Sequence, residues 1–216
     1  ALAAVVRLLD LSAIRIGNEH YARTNESYGA TTLRADHAEV GGKRIALHFV
    51  GKGGKERELD VDDARLARAV ARMQDLDCAD DHLFRYESED GAVRPVTSGD
   101  VNAYLRETMG EDFSAKHFRT FHASSLAFEK LADGPGRVRL KEMLDHVAER
   151  LGNTPAIARS PYVHPAVIAR IDGQEAWRAG LRLPRQTRWL SRAERGLIAF
   201  LEDCGAASDY LASDAA

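Results

Sequence analysis

The chain has 216 residues, 44% of them hydrophobic, which is enough for one full core or for one domain with a small appendage. It has no apolar run of membrane-spanning length and no signal-peptide pattern at its start, so we expect no membrane partner. Its two cysteines, Cys78 and Cys204, fit the reducing cytoplasm. The net charge of −3 is uneven, with 16 acidic and 8 basic residues in 55–112 but 8 acidic and 15 basic in 113–200. Such asymmetry fits either a face that meets a polyanion or a charged, solvated surface.

The N-terminal part of the chain predicts one helix, one loop and a small sheet. Apolar residues recur at helical spacing over residues 3–16, so we expect a helix there with Arg15 in its last turn. Polar and glycine-containing residues 18–32 predict a loop. Residues 37–61 alternate between apolar and polar types around two glycine-rich breaks. This pattern predicts a three-stranded antiparallel sheet with Lys52 in its second turn.

The rest of the chain predicts helices joined by polar loops. Capping residues, glycines and prolines mark most of the helix ends. The predicted helices cover residues 62–74, 101–109, 114–132, 137–151, a short segment opened by Asn153-Thr154-Pro155, and residues 192–203. An acidic loop is expected before residue 97. The fold class is therefore mainly α with a small three-stranded antiparallel β-sheet.

Six polar residues stand near the ends of these elements, where side chains can reach a ligand. They are Arg15, Lys52, Lys116, Arg119, Asn153 and Tyr162. Taken singly, most have an ordinary explanation, such as a cation at a helix end, a solvated hairpin lysine or a packed tyrosine. Lys116 and Arg119 differ, because they share one face near a helix N-terminus. That end of a helix is already partly positive and favours an anion.

Taken together, the six residues fit one reaction, the attack of a phenol on a phosphodiester. The phosphorane formed on that path carries extra negative charge, which two arginines can bind with planar, permanently charged donors. A neutral amide can add one more hydrogen bond. The leaving 5′ oxygen needs a proton, which a lysine ammonium can supply. A phenol with an ordinary pKa of about 10 needs positive charge around it to act as a nucleophile at neutral pH.

The six residues and the stretches around them resemble the poxvirus-like and bacterial type IB DNA topoisomerases. The stretches are LLDLSAIRIGNEHYA, ESYGATTLRADHAEV, FVGKGGK, SGDVNAYLRE, DFSAKHFRT and LGNTPAIARSPYVHP. The resemblance implies that Arg15 and Arg119 bind the phosphate and that Tyr162 is the nucleophile. It also implies that Lys52 protonates the leaving oxygen with help from Lys116.

The resemblance covers roughly residues 1–172 and implies the tyrosine recombinase/type IB topoisomerase catalytic-domain fold there. Asn153 stands where many members carry histidine, so it can donate a hydrogen bond but does not titrate. The implied activity is relaxation of supercoiled double-stranded DNA through a 3′-phosphotyrosyl intermediate, without ATP, metal or other cofactor. We also expect a monomer, a nucleoid-associated location in the bacterial cytoplasm, and an N-terminal β domain outside this chain. Residues 173–216 are expected to form a helical extension packed on or following the catalytic domain.

Two alternatives stay open at this point. A tyrosine site-specific recombinase or integrase shares the fold and the Arg–Lys–Arg–Tyr chemistry, but recombinases usually carry an HxxR pair where this chain has Lys116 three residues before Arg119. A non-catalytic DNA-binding module is the second alternative, and the intact set of reacting groups disfavours it. The eight histidines show no HxxxH or HxxC spacing, so no metal site is expected.

Overall fold

The computed structural model describes residues 1–77, 81–159, 161–205 and 210. The chain folds into two compact units. The N-terminal unit comprises residues 1–119 and the C-terminal unit residues 120–216. The expected boundary after residue 172 stays a prediction, because a division by packing does not test the extent of a family domain. Cys78 and part of the expected extension, residues 206–209 and 211–216, lie outside the described residues.

The described part of the N-terminal unit contains helices and two small sheets. Its helices are α1 (Leu2–Ser12), α2 (Glu19–Asn25), α3 (Ala64–Gln74) and α4 (Ser98–Met109). Its strands are β1 (Ala38–Gly41), β2 (Arg44–Gly51), β3 (Lys55–Asp62), β4 (Arg85–Glu87) and β5 (Val93–Pro95). β1, β2 and β3 form the predicted antiparallel sheet, and β4 pairs with β5 in a separate hairpin.

The three-stranded sheet buries one face, as the alternation in its sequence requires. Ile45, Leu47 and Phe49 of β2 point to this face and are at most 5% exposed. The residues opposite them on β3 are Val61, Leu59 and Arg57. The buried face belongs to a core that also takes in apolar residues of α1, α3 and α4. The register therefore places one cation, Arg57, on the core side of the sheet.

The first helix is shorter than predicted, and Arg15 lies outside it. α1 ends at Ser12 because Ala13 takes a left-handed conformation with φ of 52°, and the N–H of Ala13 closes the last turn on the Leu9 carbonyl. A non-glycine residue in that conformation gives no warning in the sequence, since only glycine adopts it at little cost. The placement of Arg15 in the last helical turn was therefore wrong. It lies in the segment that follows.

Two segments that were predicted as loops contain short regular elements. Within residues 18–32, Asn18 caps α2, because its Oδ1 accepts hydrogen bonds from the backbone N–H groups of His20 and Tyr21. The acidic segment before residue 97 contains the β4–β5 hairpin. Elements this short contain too few residues for a periodic pattern to show.

The regular elements in the described part of the C-terminal unit are all helices. α5 (Ala115–Asp133) begins in the N-terminal unit, and the others are α6 (Leu140–Leu151), α7 (Pro155–Arg159), α8 (Pro165–Ala169), α9 (Gln174–Gly180) and α10 (Arg192–Glu202). α9 is joined to the core of the C-terminal unit, which contains Val138. The side-chain oxygen of the buried Gln174 accepts from the Val138 N–H at 2.7 Å, and its amide nitrogen donates to the Val138 carbonyl at 2.9 Å. The predicted fold class is confirmed. No helix in the described ranges combines the length and apolar character needed to cross a membrane.

Candidate active site

Hydrogen bonds from a neighbouring loop fix the backbone around Arg15. The Ala30 N–H donates to the Arg15 carbonyl at 2.8 Å. The Thr31 N–H and hydroxyl both donate to the Ile16 carbonyl, at 2.8 and 2.9 Å. The contacting residues form a short 3₁₀ helix, Ala30–Thr32, within the stretch ESYGATT, so one family-like stretch positions the arginine of another.

Gly29 allows this loop to approach so closely. A β-carbon built on Gly29 would lie 2.5 Å from both the Arg15 carbonyl oxygen and the Gly17 nitrogen. We therefore expect Gly29→Ala to lower the free energy of unfolding by about 1–3 kcal/mol, because an overpacked site must move backbone. Urea denaturation measures this change. Gly41→Ala is the control, since a β-carbon there meets nothing within 4 Å. Equal stability of the two variants would contradict the packing described here.

Lys52 lies at the tip of the hairpin between β2 and β3, as predicted. Gly53 and Gly54 follow it with φ values of 80° and 72°, and β-carbons built on them would meet nothing within 4 Å. The Lys52 side chain is exposed, and its Nζ lies 5.9 Å from the centroid of the Tyr21 ring. That distance is at the outer limit of a cation–π interaction. The lysine therefore projects from an uncrowded turn and rests near an aromatic ring.

Arg15 and Lys52 line one pocket of about 480 Å³ in the N-terminal unit. The other lining residues that carry polar side chains are Asn18, Tyr21, Asn25, Ser27 and Tyr28. Among the described residues that line it, none is a carboxylate. Two cations and several neutral hydrogen-bonding groups make this pocket suited to an anion with several oxygen atoms, such as a phosphodiester.

Arg57 is a third cation near this pocket, and the sequence reasoning missed it. Its side chain runs along Gly51, where a β-carbon would lie 3.2 Å from the Arg57 Cγ. Partial burial, followed by the positive charge of Arg15, lowers the pKa of the Arg57 guanidinium. Arg57 therefore adds to the positive potential that Arg15 creates. An arginine at a core-facing position of β3, opposite Phe49, was the signal that could have identified it.

Lys116 and Arg119 occupy the first turns of α5 but differ sharply in exposure. Lys116 is exposed, whereas Arg119 is only 4% exposed. The Arg119 Nη1 donates to the Ala13 carbonyl oxygen, two residues before Arg15. The two residues lie three apart near the N-terminus of α5, as predicted, but only Lys116 reaches solvent. Arg119 points inward and is joined directly to the segment that carries Arg15.

Asn153 follows Gly152, the C-cap of α6, and is 7% exposed. Its backbone N–H donates to the Ala148 carbonyl at 2.9 Å, which continues the end of α6. The residue that caps α7 is Thr154, whose Oγ1 accepts from the Ile157 N–H at 3.4 Å. The helix therefore opens within the predicted Asn153-Thr154-Pro155 stretch, with Thr154 directly before Pro155 as its cap.

Tyr162 follows α7 in a loop that hydrogen bonds hold on both sides. The Ser124 hydroxyl of α5 donates to the Tyr162 carbonyl at 3.2 Å and accepts from the His164 N–H at 2.9 Å. The Val163 N–H donates to the Ala158 carbonyl at 3.1 Å, which joins the loop to α7. Tyr162 is 8% exposed and packs in the core of the C-terminal unit. Its main chain is therefore fixed, and little of its side chain meets solvent.

The predicted residues form two groups, one in each unit. The N-terminal unit holds Arg15, Lys52, Lys116 and Arg119, of which the first two share the pocket. The C-terminal unit holds Asn153 and Tyr162, which lie two residues before the start and three residues after the end of α7. The individual catalytic roles of all six stay predictions. Within the part of the chain that the structure describes, no three His, Cys, Asp or Glu side chains are grouped as metal ligands.

Comparison with known proteins places these observations in a family. A family model described as "Eukaryotic DNA topoisomerase I, catalytic core" matches residues 1–176. The "DNA topoisomerase 1B" of Acanthamoeba polyphaga mimivirus is 31% identical over 164 residues, which cover 69% of this chain and 48% of that protein. The "DNA topoisomerase 1" of Mycosarcoma maydis is 30% identical over 139 residues, or 57% of this chain and 14% of that protein. The "DNA topoisomerase 1B" of Vaccinia virus (strain Copenhagen) is 23% identical over 171 residues, or 79% of this chain and 53% of that protein.

The chain belongs to the DNA topoisomerase I catalytic-core family, because the family model matches more than half of its residues. Within that family it is a type IB catalytic domain, as the quoted stretches indicate. The chain spans about half the length of the viral relatives named here and a smaller share of the Mycosarcoma maydis protein. These relatives are viral and eukaryotic, so the expected bacterial origin stays a prediction.

Proposed function

We propose that this chain is the catalytic part of an enzyme that relaxes supercoiled double-stranded DNA by cutting and rejoining one strand. The observation that carries the proposal is the match of the type I topoisomerase catalytic core to residues 1–176. The pocket around Arg15 and Lys52 supports it, because its cations and neutral donors suit a phosphodiester. Family membership disfavours the recombinase and the non-catalytic module.

The proposed reaction consists of two transesterifications. The Tyr162 oxygen bonds to the scissile phosphorus, and the bond from phosphorus to the 5′ oxygen breaks, which leaves a 3′-phosphotyrosyl link. Lys52, assisted by Lys116, gives the leaving 5′ oxygen its proton, and the two arginines bind the non-bridging oxygens. After the duplex swivels, the 5′ hydroxyl attacks the phosphorus and releases the tyrosine. Each step exchanges one phosphodiester for another, so neither ATP nor metal is required.

Asn153 has a neutral supporting role in this proposal. An amide can donate a hydrogen bond to a phosphoryl oxygen without gaining or losing a proton near neutral pH. Its burial suits a donor with a fixed direction, since a side chain held in a core loses little freedom when the ligand binds. The residue would therefore help bind the phosphorane and would not take part in proton transfer.

The wider expectations belong to the same proposal. We propose that the enzyme acts as a monomer on duplex DNA in the bacterial cytoplasm, in association with the nucleoid. We also propose that the full-length protein carries a further N-terminal β domain that closes over the duplex, which accords with the share of the viral relatives that this chain leaves uncovered. Without that domain, binding to DNA depends on fewer phosphate contacts and weakens as salt increases.

A plasmid relaxation assay tests the proposal. The chain is incubated with supercoiled plasmid at low salt in EDTA without ATP, and portions are quenched with denaturant to trap covalent complexes. We expect relaxed topoisomers and a protein linked to DNA through a 3′ end. Absence of both, at protein concentrations that bind the plasmid, would refute the function. Strand exchange between two defined sites in place of relaxation would favour a recombinase.

A further inference from the structure

A turn between α9 and α10 presents an exposed tryptophan. Trp189 is 63% exposed, more than any other large hydrophobic side chain in the described part of the chain. The other tryptophan, Trp177, behaves differently, because its ring contacts Phe128 and Phe200 in the core, with centroids 5.5 and 6.0 Å apart. A ring with this exposure can be reached from solvent by a partner that stacks on it.

The turn that carries Trp189 has a defined structure. The Thr187 hydroxyl oxygen accepts from the N–H groups of Trp189 and Leu190, at 3.3 and 3.0 Å, and the Thr187 N–H donates to the Leu190 carbonyl at 2.9 Å. Directly after it, Ser191 and Glu194 form a capping box at the start of α10. The exposure of Trp189 is therefore a feature of a folded turn and does not arise from a loose chain end.

The segment that carries this ring is rich in arginine, and one arginine lies against the ring. Residues 181–195 contain five arginines and one acidic residue, Glu194, whose carboxylate serves in the capping box. Four of these arginines are exposed, namely Arg182, Arg185, Arg188 and Arg192. The Arg188 guanidinium carbon lies 4.7 Å from the Trp189 ring centroid, within cation–π distance. An aromatic ring set among arginines suits a partner with both flat apolar rings and negative charge.

We propose that residues 185–192 form a second nucleic-acid-binding surface, specific for single-stranded DNA. An unpaired base would stack on Trp189, and the flanking phosphates would bind Arg185, Arg188 and Arg192. Bases within a duplex already stack on one another, so an indole can accept only a base that is free of its neighbours. The surface follows residue 176, the last that the family model matches, and uses none of the six predicted catalytic residues.

Binding to a fluorescein-labelled oligothymidylate tests this surface, with Tyr162→Phe in every protein so that covalent capture does not contribute. We expect Trp189→Ala to weaken binding by roughly tenfold or more, since stacking on an aromatic ring contributes this much per base. Arg188→Gln should weaken binding less and reduce its salt dependence. Tyr86→Ala is the control, because it removes another exposed aromatic ring, 39% exposed, from the N-terminal unit.

A fluorescence titration tests the same surface independently while the Trp189 ring stays in place. Trp177→Phe leaves Trp189 as the only tryptophan and keeps an aromatic ring in the core. Its emission should be quenched as oligothymidylate is added, in proportion to the bound fraction. Unchanged emission at saturation, or equal binding by the parent and Trp189→Ala, would overturn the proposal. If Trp189→Ala lost affinity for single-stranded and for duplex DNA of the same length by the same factor, the proposed stacking of an unpaired base would be overturned.

Discussion

Tyr162→Phe is expected to remove relaxation and the covalent complex together, lowering cleavage by roughly 10⁴-fold or more, as the loss of a nucleophile does. The change deletes one oxygen and keeps the ring, which packs in the core of the C-terminal unit. The hydrogen bonds of Ser124 also remain, because they involve the main-chain carbonyl of Tyr162 and the main-chain N–H of His164. The variant should therefore fold and bind DNA like the parent. Plasmid relaxation and trapping with denaturant measure the loss.

Tyr86→Phe is the matched control, since it removes a phenol oxygen from an exposed tyrosine of β4. It should relax plasmid at the parental rate. An unchanged yield of covalent complex in Tyr162→Phe would mean that another residue attacks the phosphorus. Loss of cleavage together with loss of the thermal unfolding transition would instead indicate damage to the core.

Lys52→Ala is expected to slow strand cleavage by about 10²–10⁴-fold, the usual contribution of a general acid. The lysine stands at an exposed hairpin tip, where a β-carbon next to it meets open space, so its removal should leave the fold intact. A substrate with sulfur in place of the bridging 5′ oxygen tests the acid role directly. A thiolate leaves without a proton, so the variant should cleave this substrate nearly as fast as the parent.

Lys43→Ala controls for the loss of positive charge, because Lys43 lies exposed in the other hairpin of the same sheet. We expect it to slow cleavage little with either leaving group. If the sulfur substrate fails to rescue Lys52→Ala, the lysine acts in binding and the proton comes from elsewhere. Single-turnover cleavage rates at saturating protein separate binding from chemistry in all of these variants.

The sheet and its lysine could be predicted because their signals are local. Alternation of apolar residues over β2 and two glycine-rich breaks specify both the strands and the turn that holds Lys52. The same holds for the capping box at Ser191, where the two interacting residues lie three apart. Each of these features depends on residues that are close together in the chain.

The errors concern features that depend on contacts between distant residues. The end of α1 at Ser12 coincides with a left-handed alanine, Ala13, which the residue type does not predict. Ser124 supports the Tyr162 loop from 38 residues away, and no spacing rule links the two. Arg57 was recognisable in principle from strand register, but only once the pairing of β2 with β3 was known. The candidate reacting residues could therefore be predicted from their types and spacing. The residues that support them could be identified only from the folded structure.

The two residues after Lys52 have the backbone handedness that D-amino acids prefer. Gly53 and Gly54 adopt backbone angles that strain an L-residue and that a D-residue, its mirror image, occupies readily. A D-alanine placed there by chemical ligation would restrict the turn to its present shape. The Lys52 side chain would keep its length and charge, while the backbone of the turn would become less flexible. Reactivity and loop motion, which ordinary substitutions change together, would become separable in this protein.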